Sequence, residues 1–225
     1  MLQQLKQAVD SSILETYPHY RTAIGVLGVT LPPILIIASV LAGERGAESS
    51  ISAYYWTGMR DWFVGTLFVI GVFLFFYKYT PRGSGEARSA MQAVKTGRAD
   101  AWLGKLAGIG AVCVALFPTN PPPATITQPP TIGMIHGIAA AMLFICLSLF
   151  PLLLFCQSRT RAHVYRRIGW TMVAMVVLAV VNQFAPVALR EALAPWRPLL
   201  AIETVLIVLF GVSWFTKGRE LAAAQ

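Results

Sequence analysis

The chain has 225 residues, 56% of them apolar and 12% charged, with a mean hydropathy of +0.62. Soluble domains carry about a quarter charged residues, so this composition excludes a soluble enzyme, a disordered chain and a disulfide-stapled secreted domain. The formal net charge of +8 is carried by clusters between apolar runs, as in cytoplasmic loops beside anionic headgroups. Aromatic residues do not interleave with those clusters, so no nucleic-acid surface is expected.

Residues 1–21 lack a continuous apolar core and a small-residue cleavage site, so no cleavable signal peptide is expected and the first span serves as an uncleaved anchor. Leu2, Leu5, Val9 and Ile13 recur at three- and four-residue spacing, which predicts a short amphipathic segment on the membrane surface. Six apolar segments of span length follow, at about 22–42, 61–79, 101–118, 132–156, 168–188 and 198–216. The connections are short, so the organisation is an amphipathic segment (1–21), a single transmembrane domain (22–216) and a tail (217–225).

The first span contains Leu31-Pro32-Pro33 near its middle, where a kink is expected because backbone N–H groups are lost. The third has Gly104 and Gly108 in GxxxG spacing with Ala107, Gly110 and Ala111 beside them, which predicts close packing at the bundle centre. Residues 118–130 carry six prolines and no charge, so a stiff extended cap is expected there. No internal repeat is visible, which disfavours an inverted-repeat transporter.

Basic residues orient the bundle. Lys6, Arg21, Lys78, Arg82, Arg88, Lys95, Arg98, Arg159, Arg161, Arg166, Arg167, Lys217 and Arg219 fall on one side, against Arg45, Arg60, Arg190 and Arg197 on the other. The positive-inside rule then puts both termini in the cytoplasm, in the cytoplasmic (inner) membrane of a bacterium. Lys105, inside the third span, reads as snorkelling to the headgroups. Trp214 and Lys217 read as an interfacial anchor. Cys113, Cys146 and Cys156 show no CxxC spacing and read as small core residues, although Cys156 is near enough to a cytoplasmic helix end for acylation.

Ionisable groups inside spans are costly and mark candidate functional sites. Arg60 and Asp61 open the second span, His136 lies one turn inside the fourth, Glu203 is at similar depth in the sixth, and Asn182 is near the outer end of the fifth. With Ser52 and Tyr55 from the preceding loop, these residues share the outer leaflet. The expected site is therefore an outer-leaflet polar pocket of Ser52, Tyr55, Arg60, Asp61, His136, Asn182 and Glu203. Each has a plainer reading: Arg60 and Asp61 as interfacial charges, Tyr55 within an aromatic belt, His136 bonding a neighbouring helix, Glu203 pairing with Arg60 or His136.

The function expected of such a pocket is binding a lipid headgroup or small polar ligand, with Arg60 as fork donor to an anion. The other reading of the same polar groups is an accessory membrane subunit, whose partner is a second membrane protein or another copy of the chain. A proton-coupled transporter or channel using Glu203 and His136 is the alternative. An intramembrane metallohydrolase would use His136, Asp61 and Glu203, but no HExxH or HxxxH pair accompanies them, so no metal or cofactor is expected and an enzyme is disfavoured.

The stretch SISAYYWTGMRDWFVGTLFVIGVFLFFYK (50–78), with AGIGAVCVALFPT, the single histidine of the fourth span and FGVSWFTKG, resembles a group of bacterial multi-pass membrane proteins. That resemblance implies six spans, brings no reaction with it, and marks Ser50, Ser52, Tyr54, Tyr55, Arg60, Asp61, Pro118, Thr119, His136, Trp214 and Lys217. A more distant likeness is to the CREST membrane hydrolases, which pair a serine and an aspartate with three zinc-binding histidines. Here Trp56 stands four positions after Ser52 and no HxxxH follows in the last spans, so zinc amidase activity is not implied.

Overall fold

The computed structural model describes residues 2–43, 47–77, 90–122, 127–158 and 160–223, without the side chains of 2–17 and 90–99. Expectations that rest on Arg45, Lys78, Arg82, Arg88, Arg159 and the middle of the proline-rich segment (123–126) lie outside those residues, and those that rest on the side chains of Leu2, Leu5, Lys6, Val9, Ile13, Lys95 and Arg98 lie outside the described side chains.

Apolar segments that must satisfy their own backbone groups can only be helices, and among the described residues there are no strands. Seven α-helices follow one another among the described residues: α1 (Leu2–Leu41), α2 (Arg60–Phe75), α3 (Ala90–Leu116), α4 (Pro130–Leu149), α5 (Ala162–Phe184), α6 (Val187–Leu193) and α7 (Pro198–Ala223). A 3₁₀ turn, Ser52–Trp56, precedes α2, and α4 continues through a π-turn (Phe150–Leu154) around Pro151. Four of these helices are long and apolar enough to cross a membrane: Pro18–Leu41, Pro130–Gln157, Ala162–Phe184 and Pro198–Ala223. The protein is thus an all-α, multi-pass membrane protein. Large apolar side chains such as Ile37, Phe68, Ile138, Val181 and Phe184 point outward, a surface that suits lipid and that water does not tolerate.

The amphipathic segment and the first span are one uninterrupted helix in α1, which also stays helical through Pro18, Pro32 and Pro33. α4 departs from regular winding at the π-turn and at the 3₁₀ turn (Phe155–Gln157) that follows it.

Helices pack antiparallel through small residues. A Cβ on Gly211 of α7 would lie 2.6 Å from the Val29 nitrogen and 2.7 Å from the Gly25 carbonyl of α1, so the two backbones touch. Gly108 of α3 meets α2 in the same way, its Cβ position 2.6 Å from the Gly71 carbonyl. On its other side Gly110 meets Ala139 and Leu143 of α4. α3 therefore packs closely between α2 and α4, as its spacing predicts, but Trp102, Leu106 and Ile109 leave one stripe exposed. The long buried stripe belongs to α7, from Leu200 to Gly218, against α1, α4 and α5.

Candidate functional site

Residues 47–57 close the end of the bundle at which α1 ends and α7 begins. Leu200 N–H donates to the Ser49 carbonyl at 3.1 Å. Trp56 Nε1–H donates to the Thr119 carbonyl at 3.0 Å, tying the 3₁₀ turn to the end of α3. Ser50 Oγ accepts the Ala53 N–H at 3.0 Å. Ile51, Ser52, Ala53 and Tyr54 are buried beneath these ties.

Glu203, one turn into α7 and 6% exposed, faces this segment. Its Oε2 accepts the N–H of Ile51 at 2.6 Å and of Ser52 at 3.4 Å. Both bonds fall on one oxygen, and among the described residues no cation reaches the carboxylate. The backbone of the 3₁₀ turn is the donor because its first N–H groups have no helical acceptor.

Glu203 and Ser52 also line a cavity of about 30 Å³, room for roughly two water-sized molecules. The other walls are apolar: Leu31 of α1, Phe63 of α2, Val114 of α3, Phe144 of α4 and Phe210 of α7 are among them. The carboxylate and the Ser52 side chain are the polar features of an otherwise hydrocarbon chamber.

The seven residues expected to share a pocket separate. Ser52 and Glu203 meet at the cavity. Arg60 is exposed and turns to Tyr55, donating to its hydroxyl at 2.7 Å with the guanidinium 4.5 Å from the ring centroid. Asp61 is exposed at the start of α2, where a carboxylate favours the helix dipole. His136 is buried, and its Nδ1–H donates to the Phe117 carbonyl at 2.7 Å, joining α4 to the end of α3. Asn182 sits half-buried on α5 and is not a wall of the cavity. Glu203 thus pairs with backbone, not with Arg60 or His136.

At the opposite end a second polar centre appears. Arg21 is 1% exposed inside α1 and hydrogen-bonds the Tyr77 hydroxyl. Its guanidinium carbon lies 5.1 Å from the Tyr77 ring and 5.4 Å from the Phe155 ring. Trp214 stacks edge-on with Tyr77, Phe150 and Phe155 around it. Asp100 is fully buried at the same end. Lys217 is 3% exposed and binds Glu220 at 3.4 Å. Trp214 and Lys217 are therefore core residues, not an interfacial anchor, because Gly211 and Gly218 let α1 close over that face of α7. The signals in the sequence are the i,i+3 spacing of Lys217 and Glu220 and the flanking glycines. Lys105, by contrast, is exposed with Nζ 5.2 Å over the Trp102 ring.

Among the described residues no three His, Cys, Asp or Glu side chains gather as a metal site. The chain matches no protein-family model, no curated protein and no solved structure.

Proposed function

We propose that the chain is a six-span protein of the bacterial cytoplasmic membrane, with both termini in the cytoplasm, that binds a small cationic ligand at Glu203 in the outer leaflet. The observation that carries this reading is the half-satisfied carboxylate on the wall of the apolar chamber. A carboxylate at such depth takes a cation or a proton, and the described residues offer no cation. The chamber has room for an ammonium or methylammonium ion. Phe63, Phe144 and Phe210 on its walls suit a cation. The antiparallel pairing of α1 with α7 and of α3 with both α2 and α4 supports six crossings, and the approach of Gly218 to Pro18 supports termini on one side.

The test uses the detergent-purified protein and methylammonium chloride, with sodium chloride at equal ionic strength as control. Methylammonium is expected to raise the melting temperature of the wild type and leave that of Glu203→Gln unmoved. Equal behaviour of the two proteins would refute the assignment. A proton-coupled transporter is favoured by one observation, the buried Arg21 and Lys217 centre in the other half of the bundle. Proton uptake by proteoliposomes that Glu203→Gln abolishes would select that reading.

A further inference from the structure

The end of the bundle away from Glu203 carries an open groove of about 880 Å³ between the residues that lead into α5 and the last turns of α7. Its walls include Ser158, Thr160, Arg161, Lys217, Arg219 and Glu220. Three cations face one carboxylate, so the groove is net positive.

Glu220 is shared among several donors. It accepts from Ser158 Oγ at 3.2 Å, from Lys217 Nζ at 3.4 Å, and lies 3.6 Å from Arg161 Nε. The Arg161 contact is made through Nε, on a side chain 56% exposed, which leaves its terminal NH₂ groups to face an incoming ligand. Arg219 is exposed and makes no ion pair among the described residues. Cations that merely snorkel reach outward past a helix end; Lys217 does the opposite and is buried at the groove floor, as is Ser158 at 6% exposure. Phe215 and Leu221 add apolar wall on the α7 side.

We propose that this groove binds a phosphate-bearing anion, with Arg161 and Arg219 gripping its oxygens and Lys217 and Ser158 beneath them. Arginine forks match phosphate geometry, and basic pockets between membrane helices at the cytoplasmic side hold anionic headgroups. Glu220 is the built-in competitor, because its carboxylate occupies the same donors when the anion is absent. The phosphate has two possible sources, an anionic phospholipid of the leaflet or a free phosphate ion. The site is independent of the Glu203 chamber.

The experiment uses the full-length protein in mild detergent, with native mass spectrometry in the presence of equal phosphatidylglycerol and phosphatidylcholine. In parallel, thermal unfolding is followed against inorganic phosphate up to millimolar concentrations. The variants are Arg161→Gln/Arg219→Gln, both on exposed side chains, and Glu220→Gln. Each arginine is expected to contribute about fivefold, so the double variant loses about 25-fold in affinity. Glu220→Gln is expected to bind several-fold tighter, a gain that a purely structural role for Glu220 would not produce.

Preferential retention of phosphatidylglycerol that the double variant loses assigns the lipid source. Stabilisation by inorganic phosphate that the double variant loses, without lipid preference, assigns the free ion. Equal binding of both probes by wild type and double variant, or no binding of either by the wild type, overturns the proposal. Should Glu220→Gln fail to fold, the arginine pair still decides.

Discussion

Replacing Glu203 separates its structural duty from its proposed ligand-binding duty. The carboxylate accepts two backbone N–H groups, from Ile51 at 2.6 Å and Ser52 at 3.4 Å, in a region where Ile51 is 2% exposed. Glu203→Gln keeps an oxygen at the same reach, so the shorter bond persists as a neutral one. The change from a charge-assisted to a neutral bond is worth about 1 kcal/mol. Glu203→Leu removes the acceptor and leaves both donors orphaned, at about 1–3 kcal/mol each, so about 2–6 kcal/mol in total. Unfolding by graded denaturing detergent, followed by tryptophan fluorescence, reads the difference directly. The expected order is wild type, then Glu203→Gln slightly below it, then Glu203→Leu well below both. If Glu203→Leu were as stable as Glu203→Gln, the carboxylate would not be what holds residues 47–57 over the bundle. The methylammonium response divides the series differently, being lost in Glu203→Gln as fully as in Glu203→Leu.

Gly211→Ala is expected to cost about 1–3 kcal/mol, since its Cβ meets α1 backbone at 2.6 Å, while Gly137→Ala, with nothing within 4 Å, is neutral or slightly stabilising; paired melting curves of the two check this. Arg60→Ala removes an exposed contact with Tyr55 and is expected to cost about 0.5–1 kcal/mol while leaving the methylammonium shift intact. A loss of that shift would return Arg60 to the binding site. Reporters fused to either terminus are expected to report a cytoplasmic location, and a periplasmic signal from one of them would refute an even number of crossings. His136→Ala is expected to destabilise by about 1–3 kcal/mol by orphaning the Phe117 carbonyl, measured by the same unfolding assay.

Helical class and membrane character were legible because both are local. A run of apolar residues long enough to cross a bilayer must satisfy its own backbone, whatever lies beside it. The tight packing of α3 was legible too, since Gly104 and Gly108 lack the atoms that would hold neighbours apart. Depth along a helix is also a matter of counting residues, and it singled out Glu203 and its level with Ser52.

Depth does not give direction around the helix or the partner across the gap, and those decided the site. Arg60 and Asp61 share the level of Glu203 but point outward, so the charge pairing that residue types invite does not form. The groups that bind Glu203 are the N–H groups of Ile51 and Ser52, which every residue except proline possesses and which therefore leave no mark in a sequence. Trp214 and Lys217 carry the residue types of an interfacial anchor; they are buried because Gly211 and Gly218 bring α1 against their face of α7. The sequence by itself determined that the chain is helical and built of membrane-spanning segments. Only the tertiary structure decided which groups meet, because meeting depends on helix rotation and on close approaches between residues far apart in the chain.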